Sequence, residues 1–179
     1  MTKREAIKKI LTFYKNDNPI VITSCGRTSR EAWKVAKELD MDIIPLTGSM
    51  GMATSLSVGY AIANSFREVI VIMGDGEYLM GFNAVLHVHN EYINRLKHFV
   101  LVDYEYESTG GQDNSWFGDI GGMVGDIYDN VYGSLDNLCL TEKDNYKYRK
   151  VLYLVHVETT KEKAPRIPDS ELPKTVRRI

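Results

Sequence analysis

The sequence predicts an α/β protein, a three-layer, doubly wound, mainly parallel sheet with helices on both faces. Three observations predict it. Short runs rich in valine and isoleucine read as strands buried on both sides, because a parallel sheet hides both faces. Segments with helical spacing lie between those runs, and such alternation builds βαβ units. Several runs also end in glycine-rich polar loops, at the edge where open α/β sheets take their ligands.

The elements follow in chain order. Thr2 and Glu5 make a capping box, and Ile7, Ile10, Leu11 and Tyr14 recur on one face of the helix it opens, which ends near "NDNP". "PIVITS" (19–24) is a buried strand. Thr28 and Glu31 form a second capping box, predicting a helix that turns Trp33, Val35, Ala36 and Leu39 inward. "MDIIPL" (41–46) is a short strand, and the small residues of "GMATSLSVGYAIAN" (51–64) predict a helix able to lie close to a backbone or a ligand. "REVIVIMGDG" (67–76) is a strand and "YLMGFNAVLHVHNEYI" (78–93) the helix after it. "HFVLVDYEY" (98–106) is another central strand. The glycine-rich stretch from Glu107 to about Gly125 exceeds an ordinary connection and reads as a functional loop. A helix near 141–149 and the strand "VLYLVHVET" (151–159) complete the pattern. One domain over 1–179 is expected, with its core at about 18–160 and a surface tail at about 161–179.

Composition narrows the function. With 179 residues, 44% hydrophobic and a formal net charge of −2, the chain has material for a sizeable core and no electrostatic bias toward nucleic acid. No apolar run approaches a membrane span, and the N-terminal stretch lacks the apolar centre of a secretory signal. Cys25 and Cys139 lie far apart without metal-ligand spacing, as reduced thiols of a cytoplasmic protein would. None of His87, His89, His98 and His156 has metal spacing either, and all are assigned to structural or surface positions.

Chemistry concentrates at the predicted strand ends: "TSCGRTSRE" (23–31), "TGSMGM" (47–52), "GDGE" (74–77) and "VDYEYESTGGQ" (102–112). Asp75 and Asp103 are 28 positions apart (103 − 75), one helix plus one strand, so both fall at the same edge. Two carboxylates there, with backbone carbonyls, make a hard-oxygen site suited to magnesium and a phosphate. The absence of G-x-G-x-x-G after the first strand argues against a dinucleotide-binding dehydrogenase.

In this order the motifs resemble the diphosphate-binding domain of thiamine-diphosphate (ThDP) enzymes. Residues 74–76 match the GDG of its metal motif, and "VDY" (102–104) occupies the place of its later asparagine pair. "TSCGRTSRE", "GSMGMATSLSVGYAIA" (48–63) and "ESTGGQ" (107–112) are similar to loops of the sulfopyruvate and phosphonopyruvate decarboxylases, and the likeness spans roughly residues 18–160. It implies thiamine diphosphate and Mg2+ as cofactors. Asp75, Asp103 and the carbonyl of Glu105 would be the metal ligands. Ser24, Cys25, Gly26, Gly74, Gly76, Glu77 and Tyr106 would lie around the diphosphate, and Arg27 would meet a phosphate or a substrate anion. The Gly48 carbonyl, with Ser49 beside it, would meet the cofactor's exocyclic amine, while Met50 would sit under the bend between its rings.

Two residues depart from the family pattern. Asp103 puts a carboxylate where an amide is usual, and Glu77 stands where a small residue is common, an acid that is awkward near phosphate unless it turns outward. In the family the glutamate that activates the cofactor belongs to a pyrimidine-binding domain, for which this chain has no room. The resemblance therefore implies a β-type subunit of a hetero-oligomer, decarboxylating a 3-sulfo- or 3-phosphono-2-oxoacid only with a pyrimidine-binding (α-type) partner. A carboligase or other 2-oxoacid enzyme, and a non-catalytic subunit of the same fold, remain open alternatives.

Overall fold

The computed structural model describes residues 1–133, 150–159, 164, 166–168 and 170. The helix expected near 141–149 and most of the tail lie outside the described residues. Six strands form one sheet: β1 (Ile20–Thr23), β2 (Ile43–Pro45), β3 (Val69–Gly74), β4 (Leu96–Val102), β7 (Asn130–Tyr132) and β8 (Lys150–His156). A separate two-stranded ribbon joins β5 (Glu105–Tyr106) to β6 (Gln112–Asp113). The order in the large sheet is β2-β1-β3-β4-β8-β7, and every pairing in it is parallel.

The pleat of the central strands sorts their side chains into two cores. Val21, Ile70, Ile72, Phe99 and Leu101 pack with Ile7, Ile10 and Leu11 of α1 (Lys3–Tyr14) and with Val35 and Ala36 of α2 (Gly26–Leu39). Their neighbours Ile22, Val69, Val71, Met73 and Val100 pack on the opposite face. There they meet α3 (Ala53–Ala63), Tyr78 of α4 (Asp75–Met80) and Val85 of α5 (Phe82–Val85). The result is the predicted three-layer arrangement, with apolar strands buried on both sides.

Three local expectations are corrected, and one strand is added. The helix predicted over 78–93 breaks at Gly81, with α4 before it, α5 after it and a 3-10 turn over Leu86–His89. The reason is a close approach, since a Cβ on Gly81 would run into the Gly51 carbonyl of the loop before α3. Helix α2 starts at Gly26 with Cys25 at its N-cap position, so Thr28 and Glu31 lie inside the helix and are buried. Gly26 makes that early start possible by taking φ +75°. The strand expected over 98–106 leaves the sheet after Val102, and its last residues pair in the ribbon instead. Strand β7, short and half-buried, was not expected; it aligns Val131 with Leu152 of β8.

The order β2-β1-β3-β4 sets where a ligand fits. The chain leaves β1 toward one edge of the sheet and leaves β3 toward the other. A crevice therefore opens between the carboxyl ends of β1 and β3, at the reversal of strand order.

Candidate functional site

Two loops meet at that crevice. After β1, Ser24 is pinned by donating its N–H to the Ile72 carbonyl of β3 at 3.1 Å, and Cys25 and Gly26 follow at the start of α2. After β3, Gly74 and Asp75 lead straight into α4. Asp75 is 3% exposed; its Oδ1 accepts the Gly76 N–H at 2.7 Å and its Oδ2 the Tyr104 N–H at 3.1 Å. The second bond spans the ends of adjacent strands and holds Tyr104 in a left-handed conformation, φ +59°, uncommon for a tyrosine.

Ser24, Cys25, Gly26 and Met50 line one cleft of about 870 Å³ with Gly74, Asp75, Gly76 and Glu77. Asp103, Glu105 and Tyr106 line it as well. Gly48 and Ser49 fall in the loop between β2 and α3 and are not among the residues lining this cleft. Tyr106 lies so close over Gly76 that a Cβ there would sit 3.0 Å from its ring. Beside Gly26 a Cβ would meet nothing within 4 Å, so the backbone there faces open space.

Burial, with the neighbouring Asp103 charge, raises the Asp75 carboxyl above the usual carboxylate range. Two acids packed this way call for positive charge. One source is Lys3, a residue that the loop motifs did not point to. Its Nζ lies 2.7 Å from Asp103 Oδ2 and 2.7 Å from Glu107 Oε2. Burial opposes the Lys3 charge, but both carboxylates favour it, and its pKa is raised on balance. A signal did exist: Lys3 shares the inward stripe of α1 with Ile7, Ile10 and Tyr14, at spacings of four, seven and eleven. Glu107 also accepts from Arg27 Nη1 at 2.6 Å, tying the loop after β5 to α2.

Glu77 turns inward. It is 5% exposed, with Oε1 accepting the Ala53 N–H at 3.3 Å and Oε2 3.9 Å from Cys25 Sγ. The first turn of α3 has unpaired N–H groups and the positive end of a helix dipole, so an acid is stabilised facing inward. Burial, then the Glu77 charge, pushes the Cys25 thiol up and keeps it a donor. In the loop beyond β6, Trp116 and Met123 are exposed, whereas Phe117 packs edge-on against Tyr78 in the core.

The donor chemistry fits a diphosphate carried with a divalent cation. Carboxylates line the cleft together with the open backbone of Gly26 and with Lys3, Arg27 and Arg30. Among the described residues no group of three or more His, Cys, Asp or Glu side chains is placed to hold a metal, so such a cation would share its ligands with backbone and phosphate oxygens. Nor is any helix among them long and apolar enough to cross a membrane.

Comparison with known proteins gives the family and several relatives. Residues 22–126 match the family model of the thiamine pyrophosphate enzyme C-terminal TPP-binding domain. The chain is 32% identical to the phosphonopyruvate decarboxylase of Streptomyces viridochromogenes over 111 residues, 62% of this chain and 27% of that protein. It is 32% identical to the sulfopyruvate decarboxylase of Methanosarcina acetivorans over 97 residues, 54% of this chain and 24% of that one. Against the sulfopyruvate decarboxylase subunit beta of Methanothermobacter thermautotrophicus it is 32% identical over 108 residues, 60% of this chain and 56% of the subunit. The chain thus spans only part of the relatives it matches. A solved 2-oxoglutarate:ferredoxin oxidoreductase from Magnetococcus marinus superposes with a TM-score of 0.60 at 13% identity, covering 94% of this chain and 70% of that one; this likeness concerns the fold alone.

Proposed function

Because the chain belongs to the family of the thiamine pyrophosphate enzyme C-terminal TPP-binding domain, we propose that it is the diphosphate-binding, β-type subunit of a 2-oxoacid decarboxylase. The substrate class is a 3-sulfo- or 3-phosphono-2-oxoacid, converted to the aldehyde and carbon dioxide. One observation carries the reading: the buried Asp75 closes β3 between two glycines at the strand-order reversal, with Asp103 beside it.

In this reading Asp75, Asp103 and the Glu105 carbonyl would hold Mg2+, which would supply positive charge to the diphosphate. The backbone of Ser24, Cys25, Gly26, Gly74 and Gly76 would hold the phosphates, with Tyr106 close over Gly76. The Gly48 carbonyl and Ser49 would hold the pyrimidine end of the cofactor, and Met50 would support its bend. Glu77 holds the start of α3 in place below them. Thiamine diphosphate, when bound, supplies the nucleophilic carbon and the electron sink for decarboxylation; the protein binds, orients and shields it. The activating glutamate would come from a pyrimidine-binding partner, and the assembly would be a cytoplasmic hetero-oligomer. Names of the relatives support the decarboxylase class, and one of them is itself called a subunit beta.

The test has two parts. Titration calorimetry with ThDP and Mg2+ should give saturable binding to the chain and none to Asp75→Ala; equal binding by both would remove Asp75 from the metal site. Carbon dioxide release from sulfopyruvate and phosphonopyruvate is then assayed with the chain alone and with a pyrimidine-binding subunit. Turnover should need both, and sustained turnover by the repurified chain alone would overturn the subunit reading.

A further inference from the structure

From the contact between helix α1 and the carboxylate pair, we infer that Lys3 and Asp103 act as one charge-compensated unit that sets the divalent-cation affinity of the cleft. The inference rests on the cofactor reading above and concerns a residue outside all the loop motifs that suggested it.

The geometry is specific. Lys3 is 8% exposed, and the side chain of Asp103 is 2% exposed. Their 2.7 Å contact is shielded from water, so the attraction is little screened. Lys3 is held at its place by the start of α1. The Thr2–Glu5 capping box fixes the first turn, and Thr2 bridges to Glu158 just beyond β8. Its ammonium therefore belongs to the frame of the site, unlike a surface lysine that samples many rotamers.

The charge arithmetic gives the pair its meaning. Where the resembled family has a neutral amide, Asp103 adds one negative charge beside Asp75. Lys3 adds one positive charge in direct contact with Asp103. Lys3 plus Asp103 is therefore neutral, as the amide would be, although the atoms differ. A carboxylate left uncompensated would draw a divalent ion more strongly and repel the diphosphate that must bind with it. An ammonium left uncompensated would do the reverse. Glu107 is the second partner of Lys3 and shares its other side with Arg27, so removing Asp103 alone would not leave Lys3 unpaired.

The experiment measures Mn2+ affinity in the presence of ThDP, by electron paramagnetic resonance, for the purified chain and four variants. Lys3→Met should tighten Mn2+ by about tenfold or more, the effect of one unit charge a few ångströms away in a partly screened cleft. Asp103→Asn should weaken it by about the same factor, and Lys3→Met/Asp103→Asn should return to the wild-type value. Lys3→Arg keeps the charge and should stay within about twofold of wild type. The metal-free melting temperature gives a second readout. Lys3→Met should melt about 5 °C lower or more, because a buried carboxylate has lost its partner, and Asp103→Asn in the same chain should recover most of that. Wild-type binding of Mn2+ with no change in Lys3→Met overturns the inference and leaves the cofactor reading standing. Binding of neither ThDP nor Mn2+ by any variant overturns the cofactor reading and the inference with it.

Discussion

Asp75 combines two roles that a substitution can separate. Its carboxylate accepts N–H groups from Gly76 and from Tyr104, so it braces a left-handed tyrosine at the end of β4 as well as offering charge to the cleft. Asp75→Asn keeps the shape and one acceptor oxygen, enough for the Tyr104 N–H but not for Gly76 as well, and it removes the charge. The variant should fold with stability within about 1 kcal/mol of wild type in urea, yet lose about a hundredfold or more of its affinity for Mg2+ with ThDP. Asp75→Ala should also cost about 1–3 kcal/mol of stability, because the Tyr104 N–H loses its acceptor. If the asparagine variant unfolds as readily as the alanine one, the bracing role belongs to the charge and not to the acceptor. At this scale the sequence was legible where backbone demands glycine and position demands an acid. It was silent on Lys3, which comes from 72 positions before Asp75 (75 − 3), and on the inward turn of Glu77, which depends on where the start of α3 falls.

Elements followed the sequence wherever burial alone decided them and departed from it at close contacts. Strands β1, β3, β4 and β8 sit on runs rich in apolar residues, which read the same way from either side of a buried sheet. Helical periodicity continues through residues 78–93, yet the chain breaks there because the loop before α3 presses against it, and periodicity does not register a neighbour from elsewhere in the chain. Gly81 has φ −94°, an ordinary value, so its requirement is purely spatial. Gly81→Ala should therefore destabilise by about 1–3 kcal/mol despite the better helix propensity of alanine, since the clash is with backbone that has to shift. Gly51 lies on the other side of the same contact, at φ +83°, where a Cβ would meet Met80 Cγ at 2.9 Å. Gly51→Ala adds backbone strain to crowding and should cost more. Denaturant unfolding of the two variants checks the order, and a neutral Gly81→Ala would mean that the contact yields.

At the scale of the whole molecule, one buried histidine ties the core together and makes its stability depend on pH. His98, 0% exposed on β4, bonds through one ring nitrogen to the Tyr128 hydroxyl and through the other to Ser57 Oγ at 3.3 Å. Tyr128 in turn meets the Tyr78 hydroxyl at 3.4 Å, so the network joins α3, the sheet, α4 and the segment before β7. The sequence reading assigned this histidine a structural or surface place, and the network is what a structural role looks like when the ring is fully enclosed. Burial lowers the His98 pKa from 6.5 to about 3, because a charged imidazolium there would lose its water. The sign follows from proton counts. Between those two values the unfolded chain binds a proton that the folded chain does not, so stability is complete above 6.5 and falls as the pH drops toward the folded value. Burial also raises Tyr78 and Tyr128 above the ordinary tyrosine range, so neither hydroxyl ionises in this window. From about pH 7 to pH 5, before most carboxylates titrate, the His98 contribution amounts to roughly 2 kcal/mol of lost stability. His98→Gln offers both a donor and an acceptor without a titrating group. Its stability should be lower than wild type at neutral pH, since ring packing is lost, but almost flat across that interval. Urea unfolding at a series of pH values distinguishes the two curves. Parallel slopes for wild type and His98→Gln would place the pH dependence elsewhere and show that the enclosed ring can take up its proton in the folded state.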